Sequence, residues 1–429
     1  MSAFLKSEFF RTTFMPVLLL FTSPLIVMAL WEINVLFEGS VLLWAAELPG
    51  SLFDNLPRPT LKAAGVLGGF TVFQFALLVL LPGAGFLASV TPQGNRPWYK
   101  LNGCKTYLAT HAVLLALHVS DTLNVTWIFT HFGEFLVTSS ALSIALCVLL
   151  YFKGIYLPST NDSGRTGFGV VWDFWWGTEL HPTLFGFNIK QLINCRVSMT
   201  GWQMLCWCAV AYQHEVYGYV GYGLLVSAAL QFVYLLKFFW WEDGYFNSMD
   251  IQHDRFGYYI CWGVLNWVPG LYPYASMSLA ARAPDTFTLQ QAATLFAVGC
   301  FCIWANYDAD RQRMVARANP RAIIWGKPAK LIEAHYTTGD GKKNKSLLLY
   351  SGWWGTSRHF HYIAEIAACI CWSWPVGFEL AAAWVYVVFL TILLLDRAYR
   401  DELRCSKKYG KHWAEYCKKV PYRVIPYIY

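Results

Sequence analysis

The chain has 429 residues and a formal net charge of +7; 56% of its residues are hydrophobic, only 14% are charged, and the mean hydropathy is +0.37. Soluble domains carry about a quarter charged residues, so this composition excludes an ordinary water-soluble domain and points to a chain folded in a bilayer. The excess of Lys and Arg fits a positive-inside bias, and no basic cluster is interleaved with aromatics in a way that suggests nucleic acid.

Apolar stretches of about 20 residues predict ten membrane helices. They lie near 14–34, 64–84, 104–120, 134–152, 200–216, 219–239, 257–279, 288–307, 362–378 and 379–396, the last two readable as one re-entrant hairpin around Pro375 and Gly377. The fold class is therefore an all-α polytopic membrane protein with a small cytoplasmic excursion and a cytoplasmic C-terminal helix. Before the first span, MSAFLKSEFFRTTF is followed by no clear small-residue cleavage site, so this span reads as uncleaved. In the second span, Gly65-Val66-Leu67-Gly68-Gly69 reads as a helix-packing surface rather than a phosphate loop. Trp and Tyr gather where apolar blocks end, as at Trp240-Trp241 and Trp353-Trp354.

Lys and Arg concentrate on one set of loops, above all in 308–361 and the tail, which predicts an even number of spans with both termini cytoplasmic. Within 308–361, Ile323-Ile324-Trp325-Gly326 leads into a polar, Gly-rich turn at Thr337 to Gly341, and with the apolar run Leu347 to Tyr350 this predicts a small strand-like excursion. The 12 cysteines include no CxxC pair; the CxC pairs Cys206/Cys208, Cys300/Cys302 and Cys369/Cys371 sit in apolar blocks and read as packing residues. No metal site is expected.

Five stretches can carry chemistry. GTELHP places Glu179 and His181 just before the fifth span. In 240–259, Asp250, His253 and Asp254 share a helix face if the seventh span begins as a helix; the alternative is an exposed loop. Ionisable groups at membrane depth usually mark a pathway or an active site, and a dry carboxyl or imidazole can remain a proton donor near neutrality. Arg313 and Arg317 are four residues apart at the end of a span. SGWWGTSRHFHY packs Trp353, Trp354, Arg358, His359 and His361 into twelve residues. In the tail, Arg397, Arg400, Asp401, Arg404, Cys405 and Lys408 fall at offsets that put all six on one helix face. Such a face suits dinucleotide phosphates or anionic lipid headgroups, and charge alone favours the lipid.

The tail pattern R-x2-R-D-x3-C-x2-K-Y-G-x2-W-x2-Y, here Arg397 to Tyr416, resembles the C-terminal signature of the sterol reductases that saturate Δ14, Δ7 or Δ24(28) bonds. SGWWGTSRHFHY and MDIQHDRFGYY match that family in order and spacing, and within it the Δ7 reductases are most similar. The resemblance implies one integral membrane domain over 1–429, with N-terminal helices in 1–198 and the catalytic half, with NADPH and sterol pockets, in 199–429. It implies NADPH held by Arg313, Arg317, Leu349, Trp354, Arg358, His361, Tyr362, Arg397, Asp401, Cys405, Ser406, Lys407, Lys408, Tyr409 and Tyr416. Its partners would be a 5,7-diene sterol and membrane lipid. The membrane would be the endoplasmic reticulum in a eukaryote or the inner membrane in a bacterium.

An alkene resists hydride until a proton makes it electrophilic, so an acid is needed. The candidates are Glu179, Asp250, His253 and Asp254, with Tyr258 and Tyr259 as possible relays. The competing readings are a Δ14 reductase, an isoprenylcysteine-type methyltransferase and a non-catalytic sterol binder. Against the methyltransferase, His359 is followed by Phe360 where that family has Pro.

Overall fold

The computed structural model describes residues 7–48, 50, 54–338 and 341–428. It is mostly helical. Gly339 and Asp340 of the expected polar turn, and the first six residues, lie outside the described residues.

Among the described residues, six helices are long and apolar enough to cross a membrane: Phe10–Val35, Leu61–Leu80, Phe132–Tyr156, Tyr222–Trp240, Leu289–Ala318 and Ala381–Tyr409. The other four expected spans are also helical but fall short for physical reasons. Gly103–Val119 has 17 residues and Phe360–Ser373 has 14. Met199–Tyr217 carries Gln203, Gln213, His214 and Glu215. The expected seventh span is broken into Tyr258–Trp262, a π turn Gly263–Trp267, Val268–Leu271 and Tyr274–Ala280.

The chain packs into two compact units. The first comprises residues up to Thr91, then Asn95–Phe287 and Pro375–Trp384; the second comprises Pro92–Gly94, Thr288–Trp374 and the chain from Val385 on.

In unit 1, α1 (Phe10–Val35), α2 (Leu61–Leu80), α3 (Gly103–Val119), α4 (Phe132–Tyr156), α5 (Met199–Tyr217) and α6 (Tyr222–Trp240) supply the long helices. Two short antiparallel hairpins interrupt them: β1 (Ala84–Leu87) with β2 (Trp98–Leu101), and β3 (Thr183–Leu184) with β4 (Phe187–Asn188). Thr60 caps α2 by accepting from the Ala63 N–H, and its hydroxyl donates to Glu134 of α4 at 3.0 Å. Large apolar side chains face outward along these helices, such as Val72 at 67% and Leu149 at 67% exposed, a surface that lipid must cover.

Buried polar groups in unit 1 are matched across helices. Trp202 donates to Gln231 at 2.6 Å, and Gln231 donates to Ser276 at 2.8 Å. The break in the seventh helix is served the same way. Pro269 has no N–H to offer the carbonyls one turn back. Two serines donate to them instead: Ser198 to Val264 at 2.6 Å and Ser139 to Leu265 at 2.8 Å.

Helix packing at Gly65, Gly68 and Gly69 is not what the structure shows. A Cβ at any of the three would meet nothing within 4 Å among the described residues.

In unit 2, α7 (Leu289–Ala318) opens with a capping box from Thr288 and Gln291 and runs well past the expected end at 307. Two hairpins follow, β5 (Ile323–Ile324) with β6 (Lys327–Pro328), and β7 (Leu331–Thr337) with β8 (Lys343–Leu349) in the register Leu331 to Leu349. The first turns through Trp325 and Gly326, both at positive φ. Then come α8 (Phe360–Ser373), α9 (Val385–Tyr409) and α10 (Lys411–Lys419). Gly410, at φ +51, breaks α9 from α10. That break lets Cys405, Tyr409, Trp413, Tyr416 and Val420 close on Ile332, Ala334 and Leu348 of the long hairpin.

Candidate functional site

Unit 2 builds a cationic pocket from three elements. α7 contributes Arg313 and Arg317, one turn apart as expected. Arg313 pairs with Asp310 at 2.8 Å and lies over the Trp354 ring, 4.7 Å from its centroid. Arg317 reaches the Leu347 carbonyl at 3.3 Å.

The SGWWG block is clamped to the same helix. Trp353 donates its indole N–H to Asp308 at 2.9 Å, and Trp354 donates to the Ala309 carbonyl at 2.6 Å. Gly352, at φ +63, lies so close to Gln312 that a Cβ would collide with it, so this turn requires glycine. Trp354 is thereby fixed beside His361, with 5.1 Å between ring centroids, and His361 beside Tyr362 at 4.3 Å. Leu349 is buried against Ala316, Ile324 and Trp354 and supports the floor.

α9 brings the tail residues. Asp401 pairs with Arg404 at 2.7 Å, and Lys408 lies over the Tyr336 ring at 4.0 Å. Arg313, Arg317, His359, Asp401, Arg404, Cys405, Lys408, Tyr409 and Tyr416 form one connected electrostatic neighbourhood. Arg400 of the expected cationic face pairs instead with Asp396 at 2.8 Å, whereas Asp401, Arg404, Cys405 and Lys408 join this cluster. Cys405, Tyr409 and Tyr416 serve mainly as its apolar backing, and burial pushes the Tyr416 hydroxyl well above its ordinary pKa. Arg397 is half-buried on α9, whereas Ser406 and Lys407 stay exposed, off the buried face.

Arg358 is used differently from the expectation. It donates to the Val420 and Pro421 carbonyls at 2.7 and 2.9 Å and to Glu402 at 3.2 Å, stapling down the chain after α10. His359, singled out in the SGWWGTSRHFHY block but left out of the expected cofactor set, sits inside the cluster. It is 4% exposed, and its ring stacks on Tyr362 at 5.0 Å. Burial, more than the nearby Arg358 and Arg313, pulls its pKa down to about 4 against the attraction of Asp401, so it is neutral at pH 7. Its position between Arg358 and two aromatics was the available signal.

These residues fit a nicotinamide dinucleotide. The cations suit phosphates, Asp401 suits ribose hydroxyls, and the ring cluster suits a flat heterocycle. Three buried donors or acceptors here, Arg358 Nε, His359 Nε2 and Trp413 Nε1, have no hydrogen-bond partner among the described residues, as expected where a polar ligand completes a site.

Unit 1 holds the acid candidates. Glu179 is 1% exposed, and both its oxygens are in use: Oε1 accepts from Lys153 at 2.7 Å and Oε2 from the Ser159 hydroxyl at 2.7 Å. Both oxygens are thus committed as acceptors within unit 1. The expected helical face of Asp250, His253 and Asp254 is not formed, because the helix Met249–Gln252 is a single turn that stops at His253. Nor is the run simply an exposed loop. Asp254 is fully buried and accepts from His253 Nδ1 at 2.9 Å, while His253 itself is exposed.

Lys190 is fully buried and donates to the backbone carbonyls of Asp254 and Ile251 at 2.6 and 3.2 Å. Burial lowers its pKa to about 8, opposed by Asp254 and Asp250. Nearby, His181 faces the Tyr99 hydroxyl at 3.0 Å, and burial followed by Lys190 lowers its pKa to about 3. Nothing in the sequence singles out Lys190, which stands in the loop before the expected fifth span at 200–216. Tyr258 pairs with Ser23 at 3.0 Å, and Tyr259 stacks on Trp176.

The model of the ergosterol biosynthesis ERG4/ERG24 family matches residues 18–429. The chain belongs to this family. The resemblance carried by the tail motif is thus borne out, and the ERG4/ERG24 protein is an oxidoreductase of the sterol-reductase type, a class that works with a reduced nicotinamide. It is 43% identical to the 7-dehydrocholesterol reductase of Arabidopsis thaliana over 419 residues, 96% of each chain. It is 31% identical to the 7-dehydrocholesterol reductase of Xenopus laevis over 87% of this chain and 82% of the relative. It is 30% identical to the Delta(14)-sterol reductase of Methylotuvimicrobium alcaliphilum over 96% of this chain and 94% of the relative.

Proposed function

We propose that this ERG4/ERG24 protein is a sterol Δ7-reductase that uses NADPH to saturate the C7–C8 bond of a 5,7-diene sterol such as 7-dehydrocholesterol. The observation that carries the reading is the pocket of Arg313, Arg317, Arg404 and Lys408 around Asp401, beside the fixed rings of Trp354, His361 and Tyr362. The higher identity to a Δ7 reductase than to a Δ14 reductase supports the choice of bond.

In this reading the cations hold the phosphates and Asp401 the ribose. The buried Trp354 ring, pinned through its indole N–H, orients the nicotinamide and excludes water. The bound NADPH supplies a hydride. The chain must supply the proton. Protonation at C8 leaves an allylic cation shared by C5 and C7, and reduction at C7 then preserves the Δ5 bond. Asp254, with His253 hydrogen-bonded to it and Asp250 near the same lysine, is the proposed acid group; Lys190 is a positioning residue for it. Glu179 is better suited to hold the fold. We place the protein in the endoplasmic reticulum or an equivalent membrane, with ten spans and both termini cytoplasmic, on the Lys and Arg distribution of its loops.

The test is product analysis with purified full-length protein, NADPH deuterated at C4 on the transferring face, and either a Δ5,7 or a Δ14 sterol. Deuterium at C7 and conversion of the Δ5,7 substrate alone is the expected result. Preferential turnover of the Δ14 substrate would replace this reading with the Δ14 one.

A further inference from the structure

Unit 1 contains an apolar cavity of about 890 Å3 bounded by α2, α3, α4, α5 and the helix that follows Tyr258. That volume lies within the ~300–1,000 Å3 typical of small-molecule sites. No Asp, Glu, Lys or Arg lines it among the described residues, and no candidate acid does. The space exists partly because Gly69 and Gly201, both lining residues, carry no side chain. A Cβ at Gly69 meets nothing within 4 Å, and one at Gly201 meets only Phe70, at 3.7 Å. This gives a use to the glycine run in α2 that helix packing does not.

The cavity is polarised along its length. His118 ends α3 and His214 ends α5, and both line it. Phe129, in the short helix Thr126–Thr130 that follows α3, stacks on Tyr212 of α5 at 4.2 Å, which puts the two histidines at the same end. The other end is walled by Phe70, Phe73, Val197 and Val264. Deeper in, His111 Nε2 and the Trp207 indole N–H are buried without a hydrogen-bond partner among the described residues, so a small rotation of either ring turns an acceptor or a donor toward the cavity. A lining without cations offers nothing to a phosphate headgroup. Imidazoles at one end and aromatic and aliphatic walls at the other suit a rigid apolar body with one neutral hydroxyl. Leu115, a lining residue 63% exposed, marks an opening toward the surface that lipid covers.

We infer that unit 1 carries a second, non-reacting sterol site in this cavity, with the 3-hydroxyl toward His118 and His214 and the ring system toward Gly69 and Gly201. This goes beyond the reductase reading and does not depend on which bond is reduced. The test uses full-length protein in phosphatidylcholine nanodiscs and a photoreactive diazirine analogue of cholesterol, with labelled peptides mapped by mass spectrometry. Labelling should fall in the α2, α3 and α5 peptides and be displaced by excess cholesterol. Gly201→Leu and Gly69→Leu, which fill open space, should each reduce it at least tenfold. Turnover and KM for NADPH should stay within twofold, with thermal melting confirming the fold. Labelling confined to other peptides, labelling unchanged in both variants, or displacement by phospholipid but not by cholesterol would overturn the inference. So would turnover that falls in step with labelling, because the cavity would then be the reaction site itself.

Discussion

At the residue scale, position in a network decides what each charged side chain is for. Arg317 and Arg404 face the same pocket, and a charge-assisted bond to phosphate is worth roughly 1.5–3 kcal/mol. Arg317→Ala should therefore raise KM for NADPH by about 10- to 100-fold with a much smaller change in kcat, read in steady-state assays with NADPH varied. The two carboxylates of unit 1 should separate cleanly. Asp254→Asn should lower kcat at least ~100-fold with NADPH affinity intact. Glu179→Gln should leave the rate near normal but destabilise by about 3–5 kcal/mol, since it strands Lys153 beside a lost partner. Thermal melts paired with rates distinguish the two outcomes. His359 makes a pH prediction. Its folded pKa, about 4, lies below the ordinary histidine value, so the unfolded chain binds the extra proton first as pH falls. Stability is full above about pH 7 and is lost as pH drops toward 4, by roughly 2 kcal/mol at pH 5. His359→Gln should flatten that part of the melting-temperature profile.

At the element scale, the junction between α9 and α10 depends on one residue. Gly410 adopts φ +51 and ψ −119, a region that side chains avoid. Gly410→Ala should cost about 1–3 kcal/mol and loosen α10 from the hairpin. Faster tryptic cleavage at Lys411, Lys418 and Lys419 would report it. The tail helix was legible in the sequence because its pattern is local: Arg397 to Lys408 repeat at helical spacing, and Gly410 stops the helix. The seventh span was legible only in part: Pro269 and Pro273 stand in its apolar run as helix-breaking residues, but the π turn depends on serines from elsewhere in the chain. The role of Lys190 was hidden for the same reason. Its partners, Ile251 and Asp254, lie in a distant part of the chain, and only the fold brings them to it. The two tryptophans stood out by their crowding with Arg358, His359 and His361, but the clamp from Asp308 and Gln312 that fixes them became visible only in the structure.

At the scale of the whole molecule, the proposed function gives the two units different duties, and a ligand should reveal it. NADPH at 100 times its Kd stabilises the state that binds it by about 2.7 kcal/mol. If the pocket of unit 2 is the cofactor site, hydrogen exchange should slow in α7, α8 and α9 on adding NADPH, while α2 and α3 change little. Protection spread evenly over both units would count against that assignment.

The proline in the broken helix of unit 1 has a consequence for how substitutions combine. Ser139 and Ser198 matter because Pro269 withholds an N–H from the carbonyls they serve. Pro269→Ala would return that N–H to the backbone and make one hydroxyl redundant. Loss of that serine should then be nearly silent in the alanine background although costly in the native one. Which changes the chain tolerates thus depends on the order in which they arrive: the proline holds the serines in place, and only its departure frees one of them to vary.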